Sequence, residues 1–150
     1  MAHTFTNLWT HLIFSTKDRL PTIHPEFKAD LWAYLGGITR SLDGQALIVG
    51  GTGDHAHSLV WLPPTLAVSD CLRVLKANSS RWVHETQSPR SQFAWQTGYG
   101  AFSVSQSNVS EVVNYIRCQE EHHKKLTFQE EFLAFLKKNN IAYDPRYIWE

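Results

Sequence analysis

Two histidines spaced by one residue carry the first chemistry in this chain. His55 and His57 open a β-like run that ends at Leu62, within Asp54-His55-Ala56-His57. Side chains alternate across a strand, so the two imidazoles project from one face and Ala56 from the other. Held that way, two imidazoles can grip one metal ion; the same spacing also arises with no metal at all. A metal reading needs a third ligand and a reacting group from elsewhere in the chain.

Tyr115 and Gln119 are the candidates. They are four residues apart in a helical pattern that begins near Asn108, where Val109, Val112, Val113 and Ile116 form a narrow apolar stripe. Four-residue spacing stacks them on one face at the edge of the buried side. Two imidazole nitrogens and an amide oxygen leave several coordination positions open. Such a mixed set suits Mg2+ or Mn2+ better than zinc, for which glutamine is an unusual ligand. A tyrosine beside such an ion can act as a nucleophile toward phosphorus, since a nearby cation favours the phenolate. His122 and His123 follow one turn later. They are read as surface histidines, with polyanion contact or an alternative source of ligands as the other readings.

The elements that must position these residues are legible in order. Leu8 to Thr16 reads as a strand, and Pro25 to Leu42 as a helix with Pro25 in its first turn and Asp43-Gly44 as its stop. Ala46 to Val49 is a short strand, Gly50 to Gly53 a tight turn, and His55 to Leu62 the partner strand. Val68 to Glu85 is a second helix with Leu72, Leu75, Trp82 and Val83 as its apolar stripe. Gln87 to Gly100 reads as loop and Ala101 to Ser105 as a short strand. Capping-box signals start a third helix at Asn108/Glu111 and a fourth at Thr127/Glu130, running to about Lys138. The aromatic tail from Ile141 to Glu150 is expected to pack on the body. Strand, helix, strand, strand, helix, strand is the order of an α+β, ferredoxin-like domain. It predicts an antiparallel sheet with helices on one face, plus a C-terminal tyrosine-bearing helix and a further helix.

Composition narrows the setting. A chain of 150 residues is read as one domain, 1–150. No apolar run approaches the ~20 residues of a membrane span, and Met1 to Asn7 lacks the features of a secretory signal. Cys71 and Cys118 form no framework, which fits a reduced cytoplasmic interior. Fourteen basic and fourteen acidic residues balance, so a polyanion site must be a local patch. If a polyanion binds, the candidate contacts are Arg73, Lys76 and Arg81 on the second helix, with Lys17 and Arg19 after the first strand. The alternative for such a stripe is an ordinary solvated face. Trp95, Tyr99 and Phe102 are either exposed stacking surfaces or, more often for such aromatics, part of the core.

The chain resembles a known family. DHAH followed by an apolar strand is similar to the HUH motif, and YIRCQ to the tyrosine-helix motif, of single-tyrosine HUH transposases. These are the transposases of small insertion sequences and their relatives associated with repeated extragenic palindromes. HLIFSTKDRLP, LKANSSRWVHE, FAWQTGYGAFSVS and YIRCQEEHHKKLTFQEEF extend the resemblance over nearly the whole chain. It implies His55, His57 and Gln119 as ligands of a divalent metal and Tyr115 as the nucleophile. Cleavage of hairpin-marked single-stranded DNA would then pass through a 5′-phosphotyrosine link and release a free 3′-hydroxyl. It also implies a homodimer whose active site is shared where Tyr115 serves the partner. The competing readings are a hairpin-binding protein that no longer cleaves and a water-using metallo-hydrolase.

Overall fold

The computed structural model describes residues 3–87 and 92–150. Its centre is a four-stranded antiparallel sheet: β1 (Trp9–Ser15), β2 (Gln45–Gly51), β3 (His55–Trp61) and β4 (Gly100–Ser103) in the order β2-β3-β1-β4. That is the ferredoxin-like arrangement the element order predicts. β1 and β3 occupy the middle, and all of β3 except Trp61 is buried. A strand covered on both faces has no solvent side to spend on polar residues, so the two histidines on it need partners.

Period-two alternation sorts the strand residues into two layers. Leu12, Phe14, Ala56 and Val60 face α1 (Pro25–Ser41) and α2 (Val68–Thr86), where they meet Phe27, Leu31, Leu35, Leu72, Leu75 and Val83. Each such buried side chain contributes ~1.5–3 kcal/mol of transfer free energy. His55, His57 and Leu59 point to the opposite face, together with His11 and Ile13 of β1. That face is covered by α3 (Val109–Arg117), the one-turn α4 (Gln119–His122) and α5 (Phe128–Lys138). The sheet therefore carries the expected helix pair on one side and the tyrosine-bearing elements on the other.

Local chemistry explains most boundaries. Pro25 begins α1 at a position where the missing N–H costs nothing. α5 opens with a complete capping box: Thr127 Oγ1 accepts from Glu130 N at 3.2 Å, and Glu130 reaches back to the Thr127 N–H. Thr127→Ala is expected to cost about 1 kcal/mol of folding stability, read from the midpoint of a urea melt with unchanged slope. The box expected at Asn108 does not form. A 3-10 turn over Gln106–Asn108 leads directly into α3, and Asn108 is already near-helical, so its side chain caps nothing. Gly50 and Gly51, expected in the turn, complete β2 instead. Gly51 has φ +145°, and a Cβ there would lie 2.2 Å from the His55 carbonyl oxygen, so this position admits only glycine.

Of the segment expected as loop, residues 88–91 lie outside the described residues. From Gln92 to Tyr99 the chain is irregular but for an isolated bridge between Trp95 and Thr16. The tail packs in part. Trp149 joins Phe128 and Phe132, and the Glu150 carbonyl accepts from Gly98 N and Gln96 Nε2, while Tyr143 and Tyr147 stay exposed. Among the described residues no helix is long and apolar enough to cross a membrane.

Candidate active site

His55 and His57 are wholly buried, and each has its inner nitrogen engaged. His55 Nδ1 donates to Asp54 Oδ1 at 2.7 Å, with Thr52 Oγ1 at 3.1 Å. His57 Nδ1 shares a proton with His11 Nε2 across 2.8 Å. Burial lowers the His57 pKa to about 4 against the pull of Glu131, and lowers His11 to about 3 with help from His57. These two rings are therefore neutral at ordinary pH. Asp54 would be raised by burial, but the His55 contact outweighs that and lowers it. A neutral imidazole that gives its Nδ1 proton to a carboxylate must present a bare lone pair at Nε2. Such an outer partner fixes the tautomer and aims the ligand nitrogen.

The Nε2 atoms converge with oxygens from α4 and α5. His55 Nε2 is 3.0 Å from Gln119 Oε1, and His57 Nε2 is 3.0 Å from Glu131 Oε1. His123 Nε2 is 3.0 Å from Gln119 Oε1 and 3.2 Å from Glu131 Oε1, while its Nδ1 donates to the Leu126 carbonyl at 2.6 Å. Gln119 turns its amide N–H₂ toward Glu131 Oε2 and the Tyr115 carbonyl, which leaves Oε1 facing the imidazoles. The result is an inward-facing set of imidazole nitrogens, an amide oxygen and a carboxylate. Ligands bound at ~2.0–2.2 Å sit about 3 Å apart along the edges of a coordination polyhedron, which is the spacing seen here. The residues present thus fit a divalent metal. His55, His57, His123 and Glu131 alone place one ligand atom each within 4.8 Å of one another. His123, which burial would lower, is raised by its hydrogen bond to Glu131. Glu131, which burial would raise, is held well below the usual carboxylate range by His123 and His57.

Tyr115 stands at the rim. Its hydroxyl donates to Glu131 Oε2 and lies 3.3 Å from His122 Nε2; its ring is 5.8 Å from that of His57 and 5.7 Å from that of Phe135. Burial and the Glu131 carboxylate both push its pKa up, so the resting group is a phenol. The hydroxyl borders a cavity of about 390 Å³ between α3 and α5, lined also by His11, Glu111 and Lys138. Tyr115 and Gln119 are not on one continuous helix. α3 ends at Arg117, Cys118 leaves helical geometry at φ −98°, ψ 21°, and Gln119 begins α4. The break turns the amide inward until it is only 1 % exposed.

One member of this cluster, Glu131, escapes the sequence reading, and another, His123, takes one of its alternative readings rather than the favoured one. His123, expected at the surface, is drawn into the cluster with its side chain 10 % exposed; His122, at 34 %, borders it. Glu131 was not singled out, although a signal exists. It shares the stripe of Phe128, Phe132 and Phe135, where an acid has no reason to sit unless something polar meets it.

The basic candidates divide. Lys76 donates to the carbonyls of Gln96, Thr97 and Gly98, with the Tyr99 ring 5.6 Å from Nζ, so its ammonium fastens the segment before β4. Arg19 donates to the Trp149 carbonyl and lies over that indole. Arg81 bonds Asn78 beside it, Arg73 is 3.7 Å from Asp70, and Lys17 is exposed. Trp95 and Phe102 are core residues, and Tyr99 alone of the three aromatics is exposed. Cys71 is buried and Cys118 exposed, both as free thiols.

Comparison with known proteins places the chain's sequence and fold among transposases. A family profile described as "Transposase IS200 like" matches residues 4–119. The transposase of insertion sequence element IS200 from Salmonella typhimurium is 27 % identical over 129 residues, covering 83 % of this chain and 84 % of the relative. Its counterpart from Salmonella typhi matches to the same extent. The crystal structure of a candidate transposase from Deinococcus radiodurans superposes with a TM-score of 0.64 at 22 % identity, covering 79 % of this chain and 95 % of that one. A REP-associated tyrosine transposase bound to a REP hairpin superposes with a TM-score of 0.58 at 14 % identity, over 82 % and 74 % of the two chains.

Proposed function

The chain belongs to the IS200-like family of single-tyrosine HUH transposases, and from that premise we propose that it cleaves and rejoins single-stranded DNA through Tyr115. The reading assigns the whole chain, 1–150, to one transposase domain. The scissile phosphate would enter the cavity beside α3, and Tyr115 Oη would attack phosphorus. A 5′-phosphotyrosine bond forms as the bond to the leaving 3′-oxygen breaks. The phenol proton has two neighbours to receive it, Glu131 Oε2 and His122 Nε2. A second 3′-hydroxyl attacking the tyrosine ester restores a phosphodiester and frees Tyr115, so no high-energy cofactor is consumed. His55, His57 and Gln119 would hold Mg2+ or Mn2+, which when bound polarises the phosphoryl oxygens and neutralises developing charge.

The single observation carrying this reading is the tyrosine hydroxyl set against a buried, ligand-rich cluster on its own chain. The relative bound to a REP hairpin supports hairpin-marked DNA as the substrate. Of the five basic candidates, Lys17, Arg73 and Arg81 are exposed and available for phosphates; Arg19 and Lys76 could contribute only from their present tethers. The proposed assembly is a homodimer. Because Tyr115 here lies beside its own His57, giving it to a partner requires α3 to leave this seat.

The test is a single-stranded oligonucleotide with a hairpin flank and a 3′-end label. With Mn2+, the label is expected to move to a protein-linked band on a denaturing gel, and EDTA should remove that band. Cut DNA with no covalent adduct, at any time point, would reassign the chemistry to water-using hydrolysis.

A further inference from the structure

The two oxygens of Glu131 serve different neighbours. Oε1 faces the imidazoles, at 3.0 Å from His57, 3.2 Å from His123 and 3.6 Å from His55. Oε2 accepts from the Tyr115 hydroxyl and from Gln119 Nε2, and lies 3.5 Å from His122. The carboxylate is 1 % exposed, so it is committed to these contacts and not shared with water. Both Glu131 and His123 lie beyond residues 4–119, the part matched by the family profile.

We infer that Glu131 is at once a metal ligand and the tether of the nucleophile: with His123 it enlarges the ligand set to three imidazoles, one amide and one carboxylate, while its other oxygen holds Tyr115 against that set. The inference rests on the metal-dependent tyrosine reading above. Two consequences follow from the donor chemistry. A nitrogen-rich set suits Mn2+ and later first-row ions, whereas Mg2+ prefers oxygen ligands and retained water. Positioning of Tyr115 is also coupled to the cluster, since any displacement of the Glu131 carboxylate moves the partner of the phenol.

The ion arm uses Mn2+ titrated calorimetrically into the full chain. The wild type should bind Mn2+ at least about tenfold more tightly than Mg2+. Glu131→Gln and His123→Gln should each weaken Mn2+ binding by about 10- to 100-fold or more, in chains that still melt cooperatively. Pulsed electron paramagnetic resonance of the Mn2+-loaded wild type should count three imidazole nitrogens, a result that needs no variant to fold. Two nitrogens, or unchanged Mn2+ affinity in both variants while His57→Ala loses it, overturns the inference and leaves the proposed function standing. Unchanged affinity in His57→Ala as well overturns both. The tether arm uses fluorine NMR of 3-fluorotyrosine at position 115 in the metal-free chain. Its resonance should move in Glu131→Gln, and an unmoved resonance overturns the tether.

Discussion

Tyr115→Phe is expected to abolish the covalent protein–DNA adduct, to below about one thousandth of the wild-type rate, while hairpin binding persists. The phenyl ring keeps the packing against His57, His11 and Phe135 and loses only the attacking oxygen. Glu131 Oε2 retains Gln119 Nε2 as a donor, so no buried charge is orphaned and the fold should survive. Labelled single-stranded DNA on a denaturing gel reads the adduct, and a gel shift with the same hairpin reads binding. An adduct that persists in the phenylalanine variant would place the nucleophile elsewhere.

A loss of about 100-fold should follow from a residue with no chemistry of its own. Gly50 pairs with His57 across β2 and β3, and its missing side chain is the floor on which α3 rests. A Cβ there would stand 2.8 Å from the Ile116 carbonyl oxygen and 3.0 Å from Ile116 Cγ2. Gly50→Val must therefore lift α3, and Tyr115 with it, away from the histidine strand. Misplacement by about 1 Å costs of order 10²-fold in rate, and the overpacking itself about 1–3 kcal/mol of stability. Gly37→Ala is the companion: nothing lies within 4 Å of its Cβ in α1, so it should leave the rate alone and gain about 0.5–1 kcal/mol. Wild-type adduct formation by Gly50→Val would show that the seat of α3 does not position the nucleophile.

The readable half of the site was the half built on a strand. His55 and His57 share a face, opposite to Ala56, because alternation is a property of any strand. Helix limits at Pro25 and Thr127 followed from backbone chemistry that acts within a few residues. The remainder depends on contacts between distant segments. Spacing of four suggested that Tyr115 and Gln119 share a helix, yet the break at Cys118 delivers the amide by a different route. His123 looked like a surface residue because its neighbours Glu120, Glu121, Lys124 and Lys125 are charged, and only the fold sets it against His55. Lys76 looked like a free cation because the three carbonyls it fastens lie 20 to 22 residues away. Glu131 carries a signal of its own in the sequence. One acid on an aromatic stripe is the pattern a buried electrostatic partner leaves in a sequence.

The two halves of the site differ in what must happen for them to come apart. His55 and His57 sit on a central strand whose backbone is bonded on both edges, to β1 and to β2. Separating them from each other means opening the sheet, an excursion with the free energy of global unfolding. Tyr115, Gln119 and Glu131 arrive on short helices laid over that sheet, joined through a break at Cys118 and a turn before Thr127. Detaching them would leave the hydrogen bonds of the sheet intact, since no strand of it belongs to them. On the proposed reading, the imidazoles would stay fixed by the sheet while the nucleophile rides on a separate layer, so Tyr115 could shift without loosening them.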